Sequence, residues 1–150
     1  MTTETTRYVG FWKRFGATIV DTILLSLITL PATIAFYGWG YFDAEQTNIV
    51  AGPVDFVISW VVPIFIVLGF WIWKQATPGK MLFRARILDA KTGGIPTTRQ
   101  WILRYLGYFI SMIPLCLGYF WVAFDKRKQA WHDKIAGTVV IHPERDEYSA

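Results

Sequence analysis

Cysteine and charge are what this sequence has least of. A single cysteine, Cys116, stands in an apolar run, which excludes an internal disulfide and a cysteine-cluster metal site. Charged residues make up only 17% of the 150 residues, whereas a soluble domain typically has about 25%. The low charge content argues against an ordinary water-soluble domain.

Motifs for enzyme chemistry are also missing. No serine, acid and histidine are arranged as in a hydrolase, and only His132 and His142 are available as histidine metal ligands. The TPGK sequence at 77–80 resembles part of a phosphate loop, but it lacks the surrounding glycines and the Lys-Ser/Thr pair of a nucleotide site. We therefore expect no enzyme activity, no metal and no cofactor.

Apolar and aromatic residues, by contrast, are abundant. Hydrophobic residues make up 53% of the chain and aromatic residues 17%, including 8 tryptophans. Indole rings favour membrane interfaces, where one edge of the ring meets water and the other meets hydrocarbon. This composition predicts an integral membrane protein in contact with the lipid bilayer.

Two apolar segments are long enough to span a bilayer as helices. Residues 15–37 contain Asp21 as their only charged residue, and residues 56–73 contain none. About 20 apolar residues cross the hydrocarbon core as a helix, so we predict transmembrane helices over both ranges. The first segment is longer than the apolar region of a signal peptide, and a further membrane segment follows it. We expect it to be retained as an anchor.

A third apolar segment, residues 101–124, allows two interpretations. It is long enough to span, but Pro114 and Gly118 interrupt its middle, and cations flank both ends. A full span would export the basic tail that follows Asp125, against the positive-inside rule. A re-entrant hairpin that turns near Pro114 and returns to the same side obeys the rule, and we favour it over a third span.

The basic residues avoid one loop of the chain. The net charge of +4 would suggest nucleic acid in a soluble protein, but here the cations flank apolar segments. Membrane topology and anionic lipid headgroups explain them, so we expect no nucleic-acid partner. The loop 38–55 has three acids and no cation, which predicts that it faces outward and that the N-terminus faces the cytoplasm. The re-entrant hairpin would place the C-terminus on the cytoplasmic side as well. The fifteen basic residues are Arg7, Lys13, Arg14, Lys74, Lys80, Arg84, Arg86, Lys91, Arg99, Arg104, Lys126, Arg127, Lys128, Lys134 and Arg145.

Two short runs have the pattern of β-strands. RARILD at 84–89 alternates apolar and polar residues, and GTVVIH at 137–142 is rich in β-branched residues. No other run in the sequence has the pattern of a strand that could pair with either of them. We predict that they pair with each other outside the bilayer, on the cytoplasmic side.

Four blocks of the sequence together resemble a known family. They are the Arg14-x-x-Ala17-x-x-x-Asp21 pattern after GFW at 10–12, the TPGK turn, the basic strand that follows it, and WHDKIAGT at 131–138. In this order they resemble the RDD family of bacterial membrane proteins, which is named for one arginine and two aspartates. The resemblance covers nearly all of residues 1–150 and implies a single domain in the bacterial cytoplasmic (inner) membrane.

The resemblance also implies site residues and a function class. Arg14 and Asp21 match the family's arginine and first aspartate, and Asp133 matches the second, with Asp125 as its rival. A transport role is implied, and sodium–proton exchange has been proposed for some members of the family.

Asp21 is the residue whose position most needs an explanation. A carboxylate inside a membrane helix costs about 2.5–3.5 kcal/mol on insertion scales, so it normally has a partner or faces a cavity. It is either a proton or cation site or a structural pair between helices. Arg14 lies about 10 Å away along the same helix face, too far for contact, and is either part of that site or a lipid anchor. We predict Arg104, at the start of the third segment, as the partner of Asp21.

The remaining site candidates lie after the third segment. His132 and Asp133 either form a proton relay or brace the tail near a basic loop, and we favour the brace. Asp125 supports the same region. The predicted fold is an all-α membrane protein with two full transmembrane helices, a third hairpin or span, and a small cytoplasmic two-stranded β element.

Two functions follow from this architecture. The first is a transporter or proton/cation-coupled exchanger that uses Asp21, with Arg14, Arg104 and Asp133 tuning it. A monomer of this size can hardly enclose a path, so this function requires a homo-oligomer. The second is a non-enzymatic membrane adaptor that presents a basic cytoplasmic face to a membrane protein partner or to anionic lipid.

Overall fold

The computed structural model describes residues 7–43, 45 and 49–143, so Arg145 lies outside the described residues. This part of the chain is mostly helical, with one two-stranded sheet. Two helical segments, Phe11–Tyr37 and Pro53–Leu82, are long and apolar enough to cross a membrane. Both predicted spans are thereby confirmed as candidate membrane helices.

The first span is helix α1, Phe11–Tyr37, which begins four residues before the predicted start at 15. Gly38 ends it with a positive φ of 70°, which glycine adopts without strain, and its N–H donates to the carbonyl of Ile34. Pro31 lies inside the helix, where its missing N–H removes one hydrogen bond of the ladder. A helix of 27 residues is about 40 Å long, enough to span with some tilt.

The second span is built from three helical pieces. They are α2 (Pro53–Phe56), a π-helical turn (Val57–Val61) and α3 (Val62–Lys74), so the helix starts earlier than the predicted 56. Pro63 cannot donate to the α-helical ladder, and the wider turn directly precedes it. Gln75 adopts a left-handed conformation after α3.

The TPGK sequence forms the start of a helix as well as a turn. Thr77 is the N-cap of a short helix, α4 (Pro78–Leu82), and Pro78 occupies the first helical position. That position suits proline because its backbone N–H would have no partner there in any case.

The third segment is bent, not straight. Helix α5 (Thr98–Met112) and helix α6 (Leu117–Phe120), which is extended by a 3₁₀ turn at Trp121–Ala123, meet at an angle of 111°. Cys116 lies in the bend with φ of 62° and is exposed. The arms touch directly, because a Cβ atom added to Gly118 would lie 2.6 Å from the Cα atom of Ser111.

The two predicted strands pair as expected, with slightly shorter bounds. Strand β1 (Arg86–Asp89) runs antiparallel to β2 (Thr138–Ile141), with Ile87 opposite Val140. A short helix, α7 (Trp131–Ala136), leads into β2 and packs against α5. At the free edge of β2, the N–H of Val9 donates to the carbonyl of Val140 at 3.0 Å.

The sheet gathers distant parts of the chain at one end of the molecule. It joins the residues before α1, the strand after the second span, and the strand after the bent segment. We call this end, made of residues 7–14, 74–104 and 126–142, the basic end. Its core consists of Val9, Trp71, Ala85, Ile87, Trp101 and Val140. Few side chains of the two spans are buried within the protein.

Candidate functional site

Asp133 lies at the centre of a buried ionic cluster. It is the third residue of α7, where one of its oxygens, Oδ2, accepts the N–H of Ala130 at 3.0 Å. The same oxygen accepts from Arg14 Nη1 at 2.5 Å, and Oδ1 accepts from Arg104 Nη1. The side chain of Asp133 is 0% exposed, so a single carboxylate without water contact joins α1, α5 and α7.

Arg14 is committed to contacts within the protein. Besides Asp133, its Nε donates to the carbonyl of Val9 at 3.1 Å and its Nη2 donates to the carbonyl of Lys128 at 2.5 Å. The guanidinium thus joins the first turn of α1 to the loop before α7. These bonds do not fit the alternative in which Arg14 serves as a lipid anchor.

Arg104 is the most deeply buried cation of the cluster. It is 0% exposed, and its Nη1 also donates to Thr138 Oγ1 at 2.7 Å. Its guanidinium carbon lies 5.4 Å from the ring centroid of Trp71 and 5.9 Å from that of Tyr108. Aromatic faces at such distances attract a cation. The cluster therefore holds two arginines around one carboxylate, with aromatic rings on its apolar side.

The charges of the cluster act on Asp133 and His132 in different ways. Burial by itself would raise the pKa of Asp133, but Arg104 and Arg14 outweigh burial and hold that pKa well below its usual range. Burial lowers the pKa of His132 well below 6.5, and Arg104 and Arg14 lower it further. His132 is thus a neutral ring at pH 7, held 3.4 Å from Ser111 Oγ and 4.2 Å from the Tyr108 centroid.

Asp21 lies apart from this cluster and has different partners. Its carboxylate accepts from Thr77 Oγ1 and, at 2.6 Å, from the N–H of Gly79. The prediction that Arg104 pairs with Asp21 was wrong, because Arg104 is bonded to Asp133 and Thr138. Both donors of Asp21 are neutral and come from the start of α4, so the acid caps a helix of a neighbouring segment.

The contact around Asp21 needs a glycine. A Cβ atom added to Gly79 would lie 2.1 Å from the carbonyl oxygen of Ala17 and 2.9 Å from Asp21 Cγ. The backbone of α4 therefore touches that of α1, which the small side chain of Ala17 also permits.

Asp125, the rival for the second aspartate, lies just below the surface, with 14% of its side chain exposed. It accepts from Lys134 Nζ at 2.7 Å and from the backbone N–H groups of Arg127 and Gln129 at 3.0 and 3.1 Å. Burial opposes its ionisation, but the Lys134 contact and these N–H groups lower the pKa of Asp125 on balance. It organises the loop before α7 and has no contact with Arg14.

Sequence reasoning missed a second buried carboxylate at the opposite end. Asp55 is 1% exposed and accepts from Tyr41 Oη at 2.8 Å, Ala51 N at 2.9 Å and Ser59 Oγ at 2.9 Å. We had treated Asp55 only as a charge of the outward loop. The spacing of Asp55 and Ser59, one helical turn apart, was the available signal. In the described part of the chain, no three His, Cys, Asp or Glu side chains are grouped to hold a metal.

Two apolar spans, a bent apolar segment and a basic end joined by a buried carboxylate define a small multi-pass membrane protein. The RDD family model matches residues 8–137, and the chain belongs to the RDD family. Arg14, Asp21 and Asp133 all lie inside the matched range. The earlier resemblance is thereby confirmed.

Relatives of the chain are themselves uncharacterized proteins. The uncharacterized membrane protein YteJ of Bacillus subtilis is 29% identical over 144 residues, covering 90% of this chain and 81% of that protein. YxaI of the same organism is 24% identical over 147 residues, covering 89% of this chain and 96% of that protein. An uncharacterized protein of Rickettsia prowazekii is 47% identical over 74 residues, which is 49% of this chain and only 40% of that protein. No solved structure matched the chain significantly.

Proposed function

We propose that this protein is a non-enzymatic membrane module whose basic end binds anionic lipid headgroups. One observation carries the proposal: every described Lys and Arg belongs to the basic end, within residues 7–14, 74–104 and 126–134. The opposite loop, as far as it is described, contains Asp43, Glu45 and Asp55 and no cation. A cation near an anionic membrane surface contributes about 1 kcal/mol of binding.

Aromatic side chains of the basic end support a position at the membrane surface. Trp12, at the start of α1, is 77% exposed, and Trp73, at the end of α3, is 71% exposed. Lys74 Nζ lies 4.5 Å from the Trp73 ring centroid. Exposed indoles beside cations are typical of the headgroup layer, where the ring meets hydrocarbon and the cation meets phosphate.

The bent segment supports a re-entrant hairpin in this proposal. Its two ends are tied to the same sheet, since β1 precedes α5 and β2 follows α7. Ile113 and Leu115 in the bend are 81% and 89% exposed, which suits insertion into hydrocarbon. The arms then enter and leave on the side of the basic end, and the positive-inside rule assigns that side to the cytoplasm of a bacterial inner membrane.

Native mass spectrometry of the full chain in detergent tests the proposal. With added phosphatidylglycerol or phosphatidylcholine, we expect several-fold more phosphatidylglycerol to stay bound, and the difference should shrink as salt rises. Equal retention of the two lipids at low salt would contradict the proposal. Selective capture of an acidic protein in place of lipid would point to a protein partner instead.

A proton- or cation-coupled exchanger that acts as a homo-oligomer is the second candidate. The observation in its favour is that Asp21, inside a membrane span, has only neutral donors among its described partners. Among the described residues, no cation of the protein competes with a transported proton or cation for this carboxylate.

Flux across proteoliposomes tests the second candidate. If Asp21 is the titrating site, native protein should dissipate an imposed pH gradient, Asp21→Asn should not, and Asp125→Asn should behave as native. Thermal unfolding of the Asn variants shows whether each one is folded. No flux from native protein in cation-containing buffers would count against exchange.

A further inference from the structure

We propose that Arg7 and Lys13, positioned by His142, form a binding site for the phosphate of an anionic phospholipid, at the start of α1. The three side chains line a cavity of about 490 Å³, together with Tyr8, Gly10, Phe11 and Trp12. The proposal names the place on the basic end where a lipid headgroup binds. It therefore rests on the proposed function.

The tertiary structure, not the sequence order, brings these three side chains together. The N–H of His142 donates to the carbonyl of Arg7 at 2.9 Å, and Tyr8 forms a β-bridge with Ile141. The start of the chain is therefore fixed along the free edge of β2, which holds Arg7 beside His142. Lys13 reaches the same place from the first turn of α1.

The contacts of His142 hold Lys13 in place without an acidic side chain among the described residues. Its Nδ1 lies 3.1 Å from the carbonyl of Arg84, so Nδ1 must carry the proton that it donates. The other nitrogen, Nε2, then accepts from Lys13 Nζ at 3.3 Å. Within the described part of the chain, neither the cavity lining nor the first turn of α1 contains an acidic residue.

A phosphodiester anion fits this arrangement. Lys binds phosphate oxygens as a point charge and Arg as a fork of donors, and bonds to an ionised acceptor are the stronger ones. Trp12 is 77% exposed beside the cavity, and Phe11 stacks on Phe120 with ring centroids 5.3 Å apart. An acyl chain attached to the phosphate would meet these rings where α1 leaves the basic end. Free phosphate is also an anion but gains no such apolar contact.

Lipid titrations followed by native mass spectrometry of the full chain test the site. The double variant Arg7→Gln/Lys13→Gln removes two cations of the cavity, and Lys91→Gln/Arg99→Gln removes two exposed cations elsewhere on the basic end. We expect phosphatidylglycerol to bind the first variant at least fivefold more weakly than the native chain. The affinity of the second variant for phosphatidylglycerol should lie within twofold of that of the native chain. Arg7→Lys/Lys13→Arg should restore binding, and thermal unfolding should confirm that all variants are folded.

The outcomes separate the site from the proposed function. If native protein prefers phosphatidylglycerol but the two Gln variants bind equally, this site is wrong and headgroup binding by the basic end stands. If native protein shows no preference, both are wrong. If millimolar inorganic phosphate displaces phosphatidylglycerol fully from the native chain, the cavity is a free-phosphate site and the lipid assignment fails. We expect little displacement.

Discussion

Arg14 Nη1 lies 2.5 Å from Asp133 Oδ2, which bonds the first turn of the first membrane helix to a residue 119 positions later. Because the same carboxylate also binds Arg104 of the bent segment, three separate parts of the sequence meet on one side chain. Arg14 and Asp133 are thus partners in this protein. Asp21 binds a different part of the chain, so Asp21 and Asp133 serve two separate contacts.

Asp133→Asn should destabilise the protein severely. The substitution leaves Arg104, which is fully buried, without a counter-charge, and breaking a buried ion pair costs about 3–5 kcal/mol. Asp125→Asn is the matched control, because its partner Lys134 is 43% exposed and such pairs contribute at most about 1 kcal/mol. Equilibrium unfolding in mild detergent, followed by tryptophan fluorescence, measures both. Equal losses in the two variants would show that the cluster is not what holds the basic end together.

Gly79→Ala should separate α4 from α1. An added Cβ atom would meet the carbonyl oxygen of Ala17 at 2.1 Å, and backbone cannot move aside as a flexible side chain can. Overpacking of this kind typically costs about 1–3 kcal/mol. The control is Gly69→Ala in α3, where nothing lies within 4 Å of the added atom. Removing a helical glycine there should be neutral or stabilise by up to about 1 kcal/mol. A folded yield of Gly79→Ala equal to that of Gly69→Ala would overturn this contact.

The strand register predicts one disulfide and excludes another. Leu88 and Val139 are directly opposite each other in the antiparallel pair, where Cα atoms lie about 4.5–5.5 Å apart, within the range for a disulfide. In a Cys116→Ser background, Leu88→Cys/Val139→Cys should cross-link rapidly on mild oxidation. Leu88→Cys/Ile141→Cys, offset by two residues, should cross-link at least tenfold more slowly. Faster cross-linking of the offset pair would mean that the register is different.

Stability should fall on mild acidification because of His132. Its pKa lies well below 6.5 in the folded protein, so between that value and about 6.5 the unfolded chain binds more protons than the folded one. The free energy of unfolding is therefore highest above about pH 6.5 and decreases as the pH falls below it. His132→Gln should flatten this slope between pH 7 and 5, whatever its effect on stability at pH 7. Urea unfolding in detergent at several pH values measures the slope, and an unchanged slope would contradict the buried neutral ring.

The sequence by itself determined the spans, the charge asymmetry and the pairing of the strands. Each of these features depends on the composition of a stretch of neighbouring residues. Hydrocarbon selects for about 20 apolar residues in a row, and the positive-inside rule counts cations near each span. The pairing of 84–89 with 137–142 was predictable because no other β-like run exists in the sequence. The bounds differed by a few residues, because caps such as Gly10 and helix-starting residues such as Pro53 extend helices beyond the apolar run.

Only the tertiary structure decided which charged groups are partners. The sequence predicted Asp21 and Arg104 as a pair, an acid inside the first apolar segment and a cation at the start of the third. In the folded chain, α4 presents two neutral donors to Asp21, and α7 presents Asp133 to Arg104. The partner of a buried charge depends on side-chain positions within about 3–4 Å, and these follow from the packing of segments far apart in sequence. The positions of Asp21 and Arg104 in apolar segments therefore showed that they need partners. Which residues become those partners depends on how the helices pack.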